Sequence, residues 1–136
     1  MILVDTGPLV AAGNRKDRHH NDCLQAIQSA PYPRLVPATV VTETCYLLAR
    51  DAGIEAEALF LDAMASGFFT PVDIEATDYA RMAELLRQYA DRPLDATDAS
   101  IVAVAERLNV VDIITLDKTD FTLVRPKHVD AFTLVP

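Results

Sequence analysis

Two aspartates follow short apolar runs of the sequence and are candidate ligands of one metal site. Asp5 comes directly after the run at 2–4, and Asp117 follows the run at 113–116. Each run predicts a buried strand, and parallel strands bring their carboxyl ends, where ligands bind, to one edge of a sheet. An aspartate after a strand also commonly starts a turn or caps a helix, so neither residue is diagnostic alone.

A glutamate borders the apolar side of the helix that is predicted to begin at Ala38. Glu43 lies three residues after Val40 and four before Leu47, which places it at the edge of the apolar stripe. A carboxylate beside a buried surface is costly unless a cation accompanies it. A salt bridge and metal ligation both remain open, and the position favours ligation.

A further aspartate lies in the first turn of a helix predicted over 97–108. Asp98 precedes Ile101 and Val102 by one turn, so it should point toward the sheet with them. An acid in the first helical turn is also stabilised by the helix dipole, with Asp95 in position to be the N-cap. The residue therefore fits either a cap or a ligand.

Taken together, the four carboxylates indicate a site for a hard divalent cation. Clustered carboxylates repel one another and need cations to remain ionised. Oxygen ligands without His or Cys select Mg²⁺ or Mn²⁺. Such ions suit phosphodiester hydrolysis, because they polarise the phosphate and activate a water. The residues thus predict an acidic metal site built on Asp5, Glu43, Asp98 and Asp117, of a kind suited to phosphodiester chemistry.

The net charge limits how such a protein could hold nucleic acid. The chain has 136 residues, enough for one domain over 1–136, and a formal charge of −8. Proteins that bind by neutralising phosphates are usually basic, so cations, a local basic patch or a basic partner would have to offset the repulsion. The stretch with Arg15, Lys16 and Arg18 is either a solvated loop or such a patch.

Other features of the composition predict a cytoplasmic protein without membrane association. Cys23 and Cys45 show no CxxC spacing, which favours a reducing compartment. The first residues do not resemble a signal peptide. No apolar run approaches the roughly 18 residues of a membrane span.

Short apolar runs alternate with helical patterns along the chain. Strands are predicted at 2–4, 34–36, 68–74, 110–116 and 131–135, and Pro71 favours an edge position for the third. Helices are predicted between them, at 38–51, 55–64, 77–89 and 97–108 among others, with 117–130 irregular and a break at 91–93. This alternation predicts an α/β fold, a three-layer sandwich with a mainly parallel central sheet and helices on both faces.

Four segments resemble the PIN-domain nucleases, and most closely the VapC-type ribonuclease toxins of toxin–antitoxin pairs. These segments are VDTGPLVA at 4–11, VVTETCYLLAR at 40–50, DATDASIVAVAERL at 95–108 and TLDKTDF at 115–121. They occur in the family's order over nearly the whole chain. Each is weak alone, whereas the ordered set is specific.

The resemblance implies a role for each acid. Asp5 matches the acid after the first strand, Glu43 the acid of the TE motif, and Asp98 the acid of the DA motif. Asp117 matches the acid of the TxD motif. The metal ligands would be Asp5, Asp98 and Asp117.

Neighbouring residues receive supporting roles from the same resemblance. Thr6 and Thr115 match hydroxyl positions that orient the acids or a water at the metal. Asp95 is an accessory acid or only a cap. Asp120 is expected at the surface.

The resemblance also implies an activity and partners. The activity would be Mg²⁺-dependent endoribonuclease cleavage (Mn²⁺ being the alternative ion), in which an activated water attacks in line and leaves 5′-phosphate and 3′-hydroxyl ends. A homodimer and a cognate antitoxin are implied as partners of the RNA-cleaving chain. A groove between the helices that begin near Ala38 and Glu55 could receive an antitoxin helix, with Cys45, Tyr46, Phe60 and Met64 as its lining.

Three other functions are weighed on the sequence alone. A phosphotransfer enzyme that uses Asp5 as its nucleophile would need a second acid two residues later, where this chain has Gly7. A receiver domain would need paired acids after the first strand and a lysine after the last, and neither is evident. A non-catalytic binding module with the same fold would not need the four acids.

Overall fold

The computed structural model describes residues 1–92 and 94–136. Within that part of the chain, the strands are β1 (Ile2–Val4), β2 (Arg34–Pro37), β3 (Thr70–Val72), β4 (Asp112–Ile114) and β5 (Thr133–Val135). The helices are α1 (Thr6–Gly13), α2 (His20–Ser29), α3 (Ala38–Asp51), α4 (Ile54–Ser66), α5 (Ala76–Gln88), α6 (Ala96–Leu108) and α7 (Lys118–Leu123).

The strands form one parallel sheet in the order β3-β2-β1-β4-β5. The chain runs outward from β1 to β3 and then crosses back to β4, so the strand order reverses between β1 and β4. Leu3 pairs with Ile113, and Val4 pairs with Ile114, so the segments that leave β1 and β4 emerge side by side. Open parallel sheets bind ligands at such a reversal, beyond the carboxyl ends of the strands.

Helices cover both faces of the sheet. Parallel crossovers are right-handed, so α1 to α4, which connect strands in one direction, lie on one face. The crossover through α5 and α6 runs in the opposite direction and lies on the other. The predicted three-layer α/β sandwich with a parallel central sheet is therefore confirmed.

Helix α6 contains the longest run of buried residues of any helix in the described part of the chain. Eight consecutive residues, 98–105, are buried, and several of them are alanine or serine, which allows close packing against the sheet and α5. Two ion pairs join α5 to α6 at their surface: Arg107 to Asp78 at 2.9 Å and Arg81 to Glu106 at 2.7 Å. The helix that carries Asp98 is thus held on several sides.

The predicted elements are largely present, with shifted ends. Strand β3 lies at the sheet edge, as Pro71 indicated, but β3 and β4 are shorter than predicted. The prediction that 117–130 is irregular was wrong for the six residues of α7, which Asp117 caps and Phe121 anchors in the core, whereas 124–130 form neither helix nor strand. The predicted break at 91–93 includes Pro93, which lies outside the described residues. No helix in the described ranges combines the length and the apolar composition needed to cross a membrane.

Candidate metal centre

Asp5 is placed at the reversal of strand order by the end of β1. It caps α1, and its Oδ1 accepts a hydrogen bond of 2.7 Å from the backbone N–H of Thr6. Its Oδ2 accepts one of 2.8 Å from the hydroxyl of Thr115, the first residue after β4. Asp5 is only 7% exposed. Both of its carboxylate oxygens are therefore held by neighbours at the strand ends, with little access to solvent.

Asp98 enters the same region from the start of α6. Asp95 is the N-cap, as its spacing predicted, and its Oδ1 accepts a hydrogen bond of 2.8 Å from the backbone N–H of Asp98. In return, the backbone N–H of Asp95 donates to Oδ2 of Asp98 over 3.5 Å, which completes a capping box. Asp98 is buried, although an aspartate with an ordinary pKa is charged at neutral pH. Capping alone does not require that burial.

Glu43 is positioned by a contact between α3 and α6. The hydroxyl of Thr97 donates a hydrogen bond of 2.9 Å to Oε2 of Glu43, and the hydroxyls of Thr39 and Ser100 are hydrogen-bonded at 2.6 Å one turn away. Glu43 is half-buried, as its place beside the apolar stripe predicted. Thr97 was missed by sequence reasoning. The feature of the sequence that could have identified Thr97 is its position directly before Asp98 in the first turn of a helix.

Asp117 lies beyond β4 and joins the other acids through Thr115. The backbone N–H of Asp117 donates to the Thr115 hydroxyl over 2.9 Å, and that hydroxyl donates in turn to Asp5. Asp117 also caps α7, since its Oδ1 accepts from the backbone N–H of Asp120 over 3.1 Å. The four predicted acids are therefore brought to one edge of the sheet.

The structure corrects the surface position predicted for Asp120. Helix α7 turns Asp120 back toward the acids, and carboxylate oxygens of Asp98, Asp117 and Asp120 all lie within 4.8 Å of one another. Asp120 is half-buried. The reason for the error is α7 itself, which sequence reasoning did not predict.

The acids surround a cavity of about 590 Å³ at the carboxyl ends of β1 and β4. Burial is the main reason that the pKa of Asp5 is raised to about 6. The hydrogen bonds from Thr115 and Thr6 lower this pKa, and the negative charges of Glu43 and Asp117 raise it. Burial also raises the pKa of Asp98 to about 8, together with the charges of Asp95, Asp5 and Asp117. Burial and the neighbouring charges thus favour a protonated Asp98 at neutral pH unless a cation is bound. Asp17 of the α1–α2 loop adds a further carboxylate to the lining.

The donors present fit a hard divalent cation. Within residues 1–92 and 94–136, no Lys, Arg or His forms an ion pair with any of the five acids Asp5, Glu43, Asp98, Asp117 and Asp120. All the available side-chain ligands are oxygens, the set that Mg²⁺ and Mn²⁺ prefer. Thr6 also lines the cavity, and its hydroxyl is buried without a hydrogen-bond partner in the described part of the chain.

A second, larger cavity of about 800 Å³ lies on the helical face that contains α1 and α2. Arg15 and Lys16 line it, while the next residue, Asp17, lines the acidic cavity, so one loop separates the two. Of the four residues predicted to line a groove between α3 and α4, only Phe60 lines this cavity. The groove lies nearer to α1 and α2 than predicted, and its apolar lining includes Leu9, Leu24, Ile27, Leu48, Phe60 and Phe69.

Comparison with known proteins places this arrangement in a family. Residues 2–125 match the PIN domain family. Ribonuclease VapC26 of Mycobacterium tuberculosis is 29% identical over 135 residues, which cover 99% of this chain and 100% of that protein.

Solved structures share the fold. VapC20 of Mycobacterium tuberculosis, described as a sarcin–ricin loop cleaving toxin, has a TM-score of 0.82 at 24% identity and covers 88% of this chain and 92% of its own. A toxin–antitoxin complex from Klebsiella pneumoniae has a TM-score of 0.72 at 20% identity, over 100% of this chain and 97% of the other. Because the family match spans most of the sequence and the acids lie where the sheet reverses, this chain belongs to the PIN domain family.

Proposed function

We propose that the protein is a divalent-metal-dependent endoribonuclease that acts as the toxin of a toxin–antitoxin pair. The observation that carries the proposal is the convergence of Asp5, Glu43, Asp98 and Asp117 on one cavity, with no ion pair to a basic side chain among the described residues. The full-length relationship to a protein named ribonuclease VapC26 supports RNA as the substrate.

Each acid has a distinct part in this proposal. Asp5, Asp98 and Asp117 would hold Mg²⁺ or Mn²⁺, and Thr115 keeps Asp5 oriented by its 2.8 Å hydrogen bond. When bound, the cation would polarise the scissile phosphate and assist ionisation of a water. The cation would also offset the negative charge of the cavity, which would otherwise repel the phosphate that must bind there.

Glu43 is the carboxylate best placed to orient the attacking water. One of its oxygens, Oε2, accepts from Thr97, which leaves Oε1 free of side-chain hydrogen bonds in the described part of the chain. It lines the same cavity as the buried pair of Asp5 and Asp98. A base in this position would take a proton from a water, whose oxygen would attack the phosphorus in line. The P–O3′ bond would break and the 3′ oxygen would leave with a proton from solvent, which gives 5′-phosphate and 3′-hydroxyl ends without use of the RNA 2′-hydroxyl.

The activity itself is tested with purified protein and total RNA that includes ribosomal and transfer RNA. We expect endonucleolytic cuts in Mg²⁺ or Mn²⁺ and none after chelation with EDTA, with activity restored by excess metal. Sequencing of the new ends should find 5′-phosphates. Equal cleavage in EDTA would contradict the metal requirement. Binding of RNA without cleavage under all conditions would instead identify a non-catalytic binding module.

The antitoxin partner is proposed to dock in the 800 Å³ groove beside α1 and α2. Its apolar floor suits the apolar side of a helix, and Arg15 and Lys16 at one end suit acidic residues of that partner. Leu59 lines the groove and is 58% exposed, so it has contacts to gain from an occupant. A homodimer, the assembly implied by the family resemblance, belongs to the same proposal.

Leu59→Glu is expected to weaken antitoxin binding by about 30-fold or more, the effect of removing one interface hot spot. RNA cleavage by the variant alone should remain, because Leu59 lies outside the acidic cavity. The matched control is Leu61→Glu, which changes another exposed leucine of α4 that does not line the groove. Isothermal titration with the product of an adjacent short reading frame measures both. Equal affinity of the two variants would contradict docking here.

A further inference from the structure

An exposed tyrosine lies one helical turn beyond Glu43 on the same side of α3. Tyr46 follows Glu43 by three residues, and residues at that spacing are neighbours on a helix surface. Leu47, in the same turn as Tyr46, lines the acidic cavity together with Glu43. Tyr46 is 66% exposed and lines neither cavity. Its ring therefore lies at the rim of the acidic cavity and is open to solvent.

An arginine follows on the same side of α3. Arg50 comes seven residues after Glu43, and its guanidinium carbon lies 6.0 Å from the centre of the Tyr46 ring. Because a helix rises about 1.5 Å per residue, Tyr46 lies about 4.5 Å and Arg50 about 10.5 Å beyond Glu43 along the axis. An aromatic ring and then a cation are thus arranged in line from the carboxylates outward.

The charge of Arg50 is accessible to an anion. Its ion-pair partner is the next residue, Asp51, at 2.7 Å, and the two side chains are 58% and 37% exposed. Exposed pairs contribute little to stability, so Arg50 can exchange Asp51 for another anion at small cost. Because the chain carries a net charge of −8, cations near the cavity are needed to offset the repulsion of a phosphate backbone.

The loop between α1 and α2 brings a second cation to the same rim. Asp17 of this loop lines the acidic cavity with Glu43. Arg18, the next residue, is exposed, and its Nε–H donates to Nε2 of His19 over 3.1 Å. Within residues 1–92 and 94–136, Arg18 forms no ion pair. Cations therefore lie beside two different walls of the cavity.

The surroundings of Tyr46 favour a nucleic-acid strand over a protein partner. The residues one turn away on α3 include no large apolar side chain: they are Thr42, Glu43, Ala49 and Arg50. Protein partners bury contiguous apolar patches. Single-stranded nucleic acid is instead held by aromatic rings beside cations. RNA is therefore the occupant that this part of the surface fits.

We propose that Tyr46 is a platform on which one base of the RNA substrate stacks, beside the scissile phosphate, and that Arg50 contacts a phosphate farther along the strand. Stacking on an aromatic ring holds single strands with little regard to sequence, because every base has a flat face. The arginine adds a contact that carries no base preference. This inference rests on the proposed ribonuclease function, and it names a single-stranded region as the part of the RNA that is held.

Tyr46→Ala is expected to raise the KM for Mg²⁺-dependent cleavage of a defined single-stranded RNA by about ten-fold, the effect of losing one stacked base, with kcat nearly unchanged. Tyr46→Phe should keep the wild-type KM, because phenylalanine retains the ring. The matched control is Tyr79→Ala, which removes a tyrosine of α5 that is 58% exposed and lines neither cavity. Circular dichroism checks that all three variants fold.

Substrates that lack one base test the stacking itself. An abasic ribose is placed in turn at each nucleotide beside the cut. At one position it should raise the wild-type KM as much as Tyr46→Ala does, and the variant should cost nothing further on that RNA. Arg50→Gln should make KM less dependent on salt, with the slope reduced by about 0.7, the value for one phosphate of a single strand.

The outcomes separate this inference from the ribonuclease function. A wild-type KM in Tyr46→Ala, or an equal rise in Tyr79→Ala, would overturn it while RNA cleavage stands. A wild-type KM with weaker self-association in analytical ultracentrifugation would assign Tyr46 to a contact between two copies of the chain instead. If the wild-type protein cuts no RNA, the proposed function fails and this inference fails with it.

Discussion

Asp98→Asn should lower Mg²⁺-dependent RNA cleavage by at least about 100-fold, because it removes a charged ligand at the centre of the acidic cavity. Asp98 lies near both Asp5 and Asp117, whose charges contribute to its raised pKa. Asparagine keeps the shape and can still accept the hydrogen bond from the backbone N–H of Asp95. The loss should therefore appear in the rate and in metal affinity, with the fold intact.

The control for this variant is Asp62→Asn, an exposed aspartate of α4 outside both cavities. Initial rates on a defined RNA at several Mg²⁺ concentrations would show whether excess metal rescues Asp98→Asn. Partial rescue would indicate a lost ligand. A rate equal to that of Asp62→Asn at every Mg²⁺ concentration would refute the role proposed for Asp98.

The metal-free protein is expected to lose stability as the pH rises. The pKa values of Asp5 and Asp98 are raised in the folded state, to about 6 and about 8, from an ordinary 3.8. The folded state therefore holds protons that the unfolded state releases near pH 4. The stabilisation from these protons is complete below about pH 4 and disappears as pH rises through about 6 and about 8.

Differential scanning calorimetry in EDTA between about pH 5.5 and pH 8.5 tests this, and we expect Tm to fall by about 4 °C or more. Glu106 has the opposite effect on stability, but only outside that pH range. Burial disfavours its charge, yet the hydrogen bond to Arg81 lowers its pKa, so the stabilisation that Glu106 gives is lost only in more acidic solution. Asp98→Asn should flatten the profile, and Mg²⁺ should raise Tm most at the alkaline end. A Tm that stays level or rises with pH in wild type would contradict the expectation.

The positions of the four acids could be predicted from local patterns in the sequence. Asp5 and Asp117 are found after apolar runs, and parallel pairing of β1 with β4 brings such residues together whatever the exact strand ends. Glu43 and Asp98 are predictable from helical periodicity, because a burial pattern repeats along each helix. The α/β layering follows from the same alternation of runs.

Other parts of the site depend on contacts between distant segments. Thr97 acquires its role from Glu43, 54 residues away, and periodicity along one helix carries no information on that pair. Asp120 depends on α7, whose six residues are too few to display a helical repeat. The part of the cavity beside α1 and α2 was not predicted, because the packing of those helices against α3 and α4 decides where space remains.

The burial of α6 has a consequence for how the protein could be stored and reactivated. Because eight consecutive residues of α6 are buried, we expect their amide protons to exchange only when the whole domain opens, so that the backbone beside Asp98 is among the last parts of the fold to unfold. Removal of the cation would leave that scaffold in place. A protein that has lost its cation to a chelator, or that is held by an inhibitor, would then keep the acids in position. Rebinding of the ion would restore the metal site without refolding.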